Sequence, residues 1–216
     1  MLPEIIPVIL TKSTTDLESK IRAVEESVKR VQIDIVDGNF AANLTISPEV
    51  LSRLETTLSF DIHLMVKKPL TWIEKCHLAL ADRLISQVEA VDDQEKFIAQ
   101  VIESGMAAGL AIGLETKLKE LNLEALAACD TVLLLAVETG FGGQEFNRSV
   151  LGKIKSLKKI REENNFHFKI GVDGGLNQEN IRQVALAGAD ELIVGGAIFQ
   201  KKDPARAIEE LTKILS

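Results

Sequence analysis

The sequence predicts an α/β protein, a (β/α)8 barrel that forms one domain over residues 1–216. Eight short runs of β-branched residues alternate with helical patterns along the chain, at about 27 residues per unit, the repeat that such barrels show. The runs lack polar alternation, which is typical of parallel strands buried on both faces. A doubly wound open sheet is the rival fold. It usually has a glycine-rich turn after its first strand, and that turn here reads Thr11-Lys12-Ser13.

The predicted elements follow one another in the order that a barrel requires. The eight predicted strands cover residues 5–10, 31–36, 60–66, 83–88, 107–112, 131–137, 166–172 and 191–194. The first helix is predicted from one apolar face and from the capping residue Ser13 or Thr14; that face contains Leu17, Ile21, Val24 and Val28. The later helices are predicted to begin at Ser47-Pro48-Glu49, to cover 69–80, 92–104, 117–128 and 146–162, to follow the cap residue Asn177, and to begin at Asp203-Pro204.

Composition narrows the classes of function. The formal net charge is −7, so there is no basic stripe for nucleic acid and no polybasic membrane patch. No apolar run is long enough to span a membrane, and the first residues do not resemble a signal peptide. The two cysteines show no metal-binding spacing and are expected to be buried thiols in a reducing cytoplasm. We therefore expect a cytoplasmic protein that acts on a small polar molecule.

Three polar residues at predicted strand ends are candidates for chemistry, because barrel active sites form there. Asp34 lies within an apolar strand, where a carboxylate is costly unless it is paired or used. Asp173 ends the seventh strand, three strands away around the ring, so the two carboxylates are expected to face each other across the mouth. His63 on the third strand is a plausible ligand or acid/base. The structural alternatives are a paired Asp34, a loop-capping Asp173 and a hydrogen-bonded core histidine.

Two opposed carboxylates suit the removal of a proton from one face of a carbon and its delivery to the other. Glycine clusters end the last three strands, and backbone amides in such turns bind anions. The predicted phosphate-binding glycines are Gly142, Gly143, Gly174, Gly175, Gly195 and Gly196. Together these features indicate epimerisation or isomerisation of a sugar phosphate.

At these residues the chain resembles the ribulose-phosphate 3-epimerase family. The matching stretches are Ile33-Asp34-Ile35-Val36-Asp37-Gly38-Asn39-Phe40, Asn43-Leu44-Thr45, Asp61-Ile62-His63-Leu64-Met65, Gly140-Phe141-Gly142-Gly143-Gln144, Val172-Asp173-Gly174-Gly175 and Gly195-Gly196-Ala197-Ile198-Phe199. The resemblance implies a TIM barrel of the ribulose-phosphate-binding type that interconverts ribulose 5-phosphate and xylulose 5-phosphate. It implies that Asp34 and Asp173 are the acid/base pair and, with His63, ligands of a divalent metal. Met65 and Gln87 would line the substrate, and the protein would be a homo-oligomer, a dimer or a hexamer.

The chain departs from the family pattern around the substrate. Gln32 stands where the family has a metal-binding histidine, Gln87 where it has another histidine, and Val8 where it usually has serine. Because an amide oxygen is a harder donor than imidazole, zinc or iron becomes less favoured, and manganese or magnesium could still bind. We therefore expect metal binding to be weakened or absent, and the Gln32 amide could instead donate to the reacting substrate.

Three functions stay open from sequence. The first is the pentulose-phosphate epimerase. The second is a lyase or aldolase related to hexulose-phosphate synthase or orotidine-phosphate decarboxylase, whose Asp-x-Lys-x-x-Asp pattern lacks its lysine here, at Val36. The third is a phosphate-binding barrel with weak, altered or no epimerase activity.

Overall fold

The computed structural model describes residues 2–216 and contains a closed barrel of eight parallel strands. The strands are β1 Glu4–Ile9, β2 Arg30–Val36, β3 Ser59–Met65, β4 Arg83–Gln87, β5 Ala107–Ile112, β6 Thr131–Leu135, β7 Lys169–Asp173 and β8 Glu191–Val194. Each strand pairs with the next along the chain, and β8 pairs with β1 to close the ring. The predicted fold class is therefore confirmed, and the open sheet is excluded.

Helices cover the outside of the barrel. They are α1 Thr14–Val24, α2 Ile73–Leu78, α3 Gln94–Glu103, α4 Leu123–Ala128, α5 Val150–Glu163, α6 Ile181–Ala187, α7 Gly196–Phe199 and α8 Pro204–Leu215. Ser13, Asp93, Asn122 and Asp203 cap four of them through side-chain oxygens that accept backbone amides. Within residues 2–216, no helix has both the length and the apolar character needed to cross a membrane.

Three predicted helices are shorter or of another type. The helix predicted over 117–128 is a 3-10 turn, Leu118–Glu120, followed by α4. The connection from β2 to β3 contains only a 3-10 helix, Pro48–Arg53, and Ser47 makes no side-chain cap there. The segment predicted as one helix over 69–80 begins with a 3-10 turn, Pro69–Trp72, before α2. Proline at the start of these last two segments has no amide to donate, which suits a first turn but does not by itself extend one.

The boundaries around β7 also differ from the predicted ones. The strand begins at Lys169 rather than at 166, because the Phe166 amide donates to the Arg161 carbonyl and so belongs to the end of α5. Asn177 does not cap α6, which begins four residues later at Ile181. Its side-chain oxygen accepts the amide of Glu179 instead, so the segment stays a turn.

Two apolar layers hold the barrel together. The larger one lies between the strands and the helices, and contains residues such as Leu17, Ile62, Phe97 and Ile154. The smaller one fills the barrel interior; its members are Ile6, Ile85, Ala111, Leu133, Leu135 and Ile193. This interior layer separates two polar ends, because inward-facing residues recur at every second position of each strand.

The amino-terminal end of the interior contains a set of charged and polar residues, which we call the basal ion network. Asp61, Arg83, Thr131 and Glu191 are buried, and Arg30, Asp130 and Lys169 are partly exposed. At its centre the Arg83 guanidinium donates to Glu191 at 2.9 and 3.0 Å and to Asp130 at 2.7 Å. It also donates to Asp61, which a second guanidinium, that of Arg30, contacts from the other side.

The rest of the basal ion network completes the contacts of Glu191. Thr131 donates its hydroxyl to this carboxylate at 2.9 Å, and Lys169 lies 3.2 Å from it. The network therefore balances three cations against three carboxylates, which is the condition under which buried charge is tolerated. Sequence reasoning did not predict it.

Candidate active site

The carboxyl ends of β2, β3 and β7 bring three titratable side chains together at the mouth of the barrel. In the parallel register Asp34 lies beside His63 on the neighbouring strand, and Asp173 is the last residue of β7. One ligand atom from each of the three lies within 4.8 Å of the others. The structure thus assembles Asp34, His63 and Asp173 into one cluster, because closure of the ring brings strand ends that are distant in sequence to the same face.

Gln32 links the two carboxylates. Its amide nitrogen donates to Asp34 Oδ1 at 2.9 Å and to Asp173 Oδ2 at 2.8 Å, so both of its hydrogens are used. The side chain is buried and lies below the carboxylates in the barrel. In this orientation Gln32 contributes a nitrogen donor between the aspartates rather than a metal ligand.

His63 forms the other side of the cluster. Its Nδ1 lies 3.3 Å from Asp34 Oδ1, and its Nε2 lies 3.0 Å from the amide nitrogen of Gln87. Gln87, which we expected to line the substrate, is completely buried and lies behind the imidazole, away from the cavity lining. The structure therefore gives Gln87 a contact with His63 in place of a contact with substrate.

The electrostatics of the cluster favour a proton on Asp173. Burial in the mouth and the neighbouring Asp34 carboxylate raise the pKa of Asp173 to about 7, and His63 and the hydrogen bond from Gln32 oppose that shift. Two carboxylates this close cannot both be ionised without cost. At neutral pH the pair therefore favours one proton or one bound cation.

Asp37 plays a different part from its neighbour Asp34. Its carboxylate accepts the backbone amides of Asn39, Phe40 and Lys67 at 2.8, 2.9 and 2.9 Å. Burial opposes its ionisation, but these hydrogen bonds lower the pKa of Asp37 below its ordinary value. Asp37 thus orders the turn that follows β2 and is not free for acid/base chemistry.

A cavity of about 760 Å³ opens above the cluster. Asp34, His63, Met65 and Asp173 line it, and Val8 also faces it. All six glycines predicted to bind phosphate line it as well, namely Gly142, Gly143, Gly174, Gly175, Gly195 and Gly196. A volume of this size is typical of a small-molecule site.

The glycine at position 175 cannot be replaced without moving the loop. Its φ is +67°, and an added Cβ would lie 2.4 Å from the backbone nitrogen of Phe146. The loops after β6 and β7 therefore pack backbone to backbone. Because residue 175 is glycine, no side chain covers the cavity wall at this position.

Two lysines line the cavity that sequence reasoning did not identify. Lys20 on α1 is held by Asp16 at 2.7 Å, and its ammonium lies 5.7 Å from the ring centre of Phe199. Lys201 follows α7 and also lines the cavity. The position of Lys20 beside the apolar face of α1 was visible in the sequence, but its direction toward the mouth depends on how α1 packs on the barrel.

The cluster fits a divalent cation. Two carboxylates and one imidazole converge within 4.8 Å, and neither carboxylate contacts a lysine or arginine among the described residues. Such a donor set suits a divalent metal of intermediate hardness. Gln32 would have to turn its oxygen toward the ion before it could act as a fourth ligand.

Solved structures with the same architecture define the class of protein. The chain aligns over its full length with 3-hexulose-6-phosphate synthase at a TM-score of 0.71 and 18% identity, covering 100% of that chain. It aligns with KGPDC from Streptococcus mutans at a TM-score of 0.76 and 14% identity, covering 100% of this chain and 98% of that one. At these identities the likeness shows the fold, a TIM barrel.

Sequence comparison identifies the particular family. The family model described as "Ribulose-phosphate 3 epimerase family" matches residues 4–199. Ribulose-phosphate 3-epimerase of Bacillus subtilis is 34% identical over 212 residues, covering 96% of this chain and 97% of the relative. The enzyme of the same name from Escherichia coli K12 is 32% identical over 216 residues, covering 98% and 96%. The chain belongs to the ribulose-phosphate 3-epimerase family.

Proposed function

We propose that this protein is a sugar-phosphate 3-epimerase that interconverts ribulose 5-phosphate and xylulose 5-phosphate. The observation that carries the proposal is the pair of carboxylates from β2 and β7, tied together by Gln32 at the floor of the cavity. Asp34 takes the proton from C3 of the substrate, and Asp173 delivers its proton to the other face of the same carbon. The reverse reaction exchanges these roles, so each turnover moves one proton onto and one off the pair.

The raised pKa of Asp173 supports the assignment of Asp34 as the base and Asp173 as the acid. With a pKa of about 7, Asp173 carries a proton in about half of the molecules at neutral pH, and this protonated state is the one a general acid needs. Gln32 donates to both carboxylates, and so it holds their oxygens at a fixed separation while the proton moves. His63 restrains Asp34 from the other side.

The remainder of the substrate is held by the cavity walls. We propose that the phosphate lies against the glycine loops that end β6, β7 and β8, where backbone amides can donate to its oxygens. Lys20 and Lys201 add positive charge on the same lining. This arrangement explains how a chain of net charge −7 can bind an anion, because the binding groups are backbone amides and two local lysines.

Asp34, His63 and Asp173 would hold a divalent cation at the floor. When bound, the cation would supply a Lewis acid that polarises the substrate oxygens next to C3. We propose that zinc and iron bind less favourably than in a site with a second imidazole, and that manganese or magnesium can still bind weakly, because Gln32 stands at that position.

A second candidate is a phosphate-binding barrel with weak or no turnover. The orientation of Gln32 favours it, because the amide nitrogen occupies the space between the carboxylates. This candidate shares the cavity and the glycine loops with the epimerase. It differs only in what happens at C3.

Hydrogen exchange at C3 separates the two candidates. Purified protein is incubated with ribulose 5-phosphate in deuterated water, with manganese or with chelator, and the products are followed by proton NMR. The epimerase forms xylulose 5-phosphate that carries deuterium at C3. Binding of the sugar phosphate in a thermal-shift titration, without exchange under either condition, would establish the second candidate. Glu209→Gln, an exposed carboxylate-to-amide change on α8, is the matched control that retains exchange.

We also propose the partners, the cellular location and the oligomeric state of the protein. We expect a small-molecule substrate only, with neither nucleic acid nor membrane as a partner, in the cytoplasm. We expect a homo-oligomer, a dimer or a hexamer, which light scattering coupled to size-exclusion chromatography measures directly.

A further inference from the structure

The imidazole of His63 has one neighbour at each ring nitrogen. Nδ1 lies 3.3 Å from Asp34 Oδ1, and Nε2 lies 3.0 Å from the amide nitrogen of Gln87. An amide NH2 group can only donate a hydrogen bond. In this orientation of the Gln87 amide, the Nε2 atom of His63 accepts, so the ring proton lies on Nδ1 and is donated to Asp34.

Gln87 has freedom to change this arrangement. The side chain is completely buried at the end of β4, and its amide oxygen has no hydrogen-bond partner among the described residues. A half turn about the last side-chain torsion exchanges the oxygen and the nitrogen in almost the same volume. After that turn the oxygen would accept a proton from Nε2, and Nδ1 would present a lone pair toward Asp34 and the cavity.

We propose that Gln87 is a positioning residue that selects the tautomer of His63. With its nitrogen toward the ring, Nδ1 is protonated and restrains Asp34. With its oxygen toward the ring, Nδ1 is free to ligate a cation. The first state concerns the protein alone, and the second rests on the proposed function, since it requires the cation at the floor of the site.

An amide is suited to this role because it contains one donor group and one acceptor group on the same short side chain. A side chain of similar size without an amide leaves Nε2 with no partner, and Asp34 alone then keeps the proton on Nδ1. The partner on the far nitrogen is the ordinary determinant of which ring nitrogen binds a metal. In this chain that partner can take either role.

The experiment measures the tautomer directly. The chain has three histidines, so protein labelled with 15N at histidine gives three imidazoles in a long-range proton–nitrogen correlation spectrum. His77 and His167 are exposed and serve as internal references, and loss of signals in His63→Asn assigns the third. In chelator, wild-type His63 is expected to carry its proton on Nδ1. In Gln87→Glu, whose carboxylate only accepts, Nε2 is expected to carry a proton.

Ser86→Ala is the matched control. Ser86 is the preceding residue on β4, is equally buried and has an unpartnered hydroxyl, but alternation along the strand directs it away from the interior. This variant is expected to leave the His63 signals unchanged. Absence of an Nε2 proton in Gln87→Glu overturns the proposal, and so does an Nε2 proton in the wild type, a result that needs no variant to fold.

Zinc alone tests the second state, because it is diamagnetic and binds imidazole. On saturation the wild-type His63 proton is expected to move to Nε2, and calorimetry should show zinc affinity lower in Gln87→Met by about 10-fold or more. Absence of zinc binding, or binding with the proton still on Nδ1, overturns this part. Failure of C3 exchange would refute the proposed function and leave the tautomer in the free protein unaffected, so the two failures are distinguishable.

Discussion

The same strands place polar side chains at both ends of the barrel interior, but the contacts of these side chains differ between the two ends. β3 places Asp61 in the basal ion network and His63 at the mouth, and β4 places Arg83 below and Gln87 above. At the base every carboxylate contacts a cation. At the mouth the two aspartate side chains are hydrogen-bonded to the amide of Gln32 and the imidazole of His63, and within residues 2–216 neither forms an ion pair with a lysine or arginine.

This difference separates a structural arrangement from a reactive one. Buried charges that are paired specify a packing, but pairing does not always recover the cost of removing them from water. Burial raises the pKa of Asp61 to about 6 although two guanidiniums contact it. Buried carboxylates without a neighbouring cation bind a proton or a metal ion favourably, and acid/base catalysis uses this property. The contrast predicts that substitutions at the mouth will mainly change hydrogen exchange at C3, whereas substitutions at the base will mainly change the free energy of unfolding.

The largest expected effect is at the mouth. Asp173→Asn removes the group that delivers a proton to C3, and deuterium exchange at C3 is expected to fall by about 10²–10⁴-fold. The unfolding midpoint is expected to hold or rise, because the substitution removes repulsion from Asp34. Exchange at the wild-type rate would show that Asp173 is not an acid/base group.

The next effect is at the base. Arg83→Met leaves Asp61 and Glu191 buried without their shared cation and is expected to cost about 3–5 kcal/mol of unfolding free energy in urea titrations. Arg206→Met, which breaks an exposed pair with Glu210 at 3.1 Å, is expected to cost less than about 1 kcal/mol. Equal losses in the two variants would mean that the basal ion network adds nothing beyond a surface pair.

A smaller effect is expected from close packing beside Thr131 of the basal ion network. An added Cβ at Gly109 would lie 2.8 Å from Thr131 Cγ2 and 3.0 Å from the Thr131 carbonyl oxygen. Gly109→Ala is therefore expected to lower the unfolding free energy by about 1–3 kcal/mol. Gly152→Ala, in α5 with open space around it, is expected to raise it by about 0.5–1 kcal/mol. The same sign for both would contradict this account of the interior.

The smallest effect is a pH dependence at the mouth. In the metal-free protein the pKa of Asp173 is above its value in the unfolded chain, so its contribution to stability is complete below about pH 4 and is lost as the pH rises through about 7. Calorimetric midpoints in chelator should therefore decline over this range. Asp173→Asn should decline less, and a slope identical to that of the wild type would assign the titration to another group.

Sequence patterns predict the barrel well because parallel strands need apolar runs without polar alternation, and each run is local in the sequence. They predict the cluster of Asp34, His63 and Asp173 for the same reason, since strand order alone fixes which ends meet. The orientation of Gln32 and the position of Gln87 could not be predicted, because each depends on side chains from other strands. The basal ion network had a signal, namely charged residues such as Asp61 and Arg83 at inward positions of apolar strands, but their partners lie far away in the sequence.

The contact between Arg83 and Glu191 joins residues 108 positions apart. During synthesis, β4 with the Arg83 guanidinium is therefore made well before β8, which contains the Glu191 carboxylate. Half a barrel leaves this cation short of its partners, so the fold gains its full stability in the step that closes the ring. Contacts of this length slow folding and make it cooperative over the whole chain.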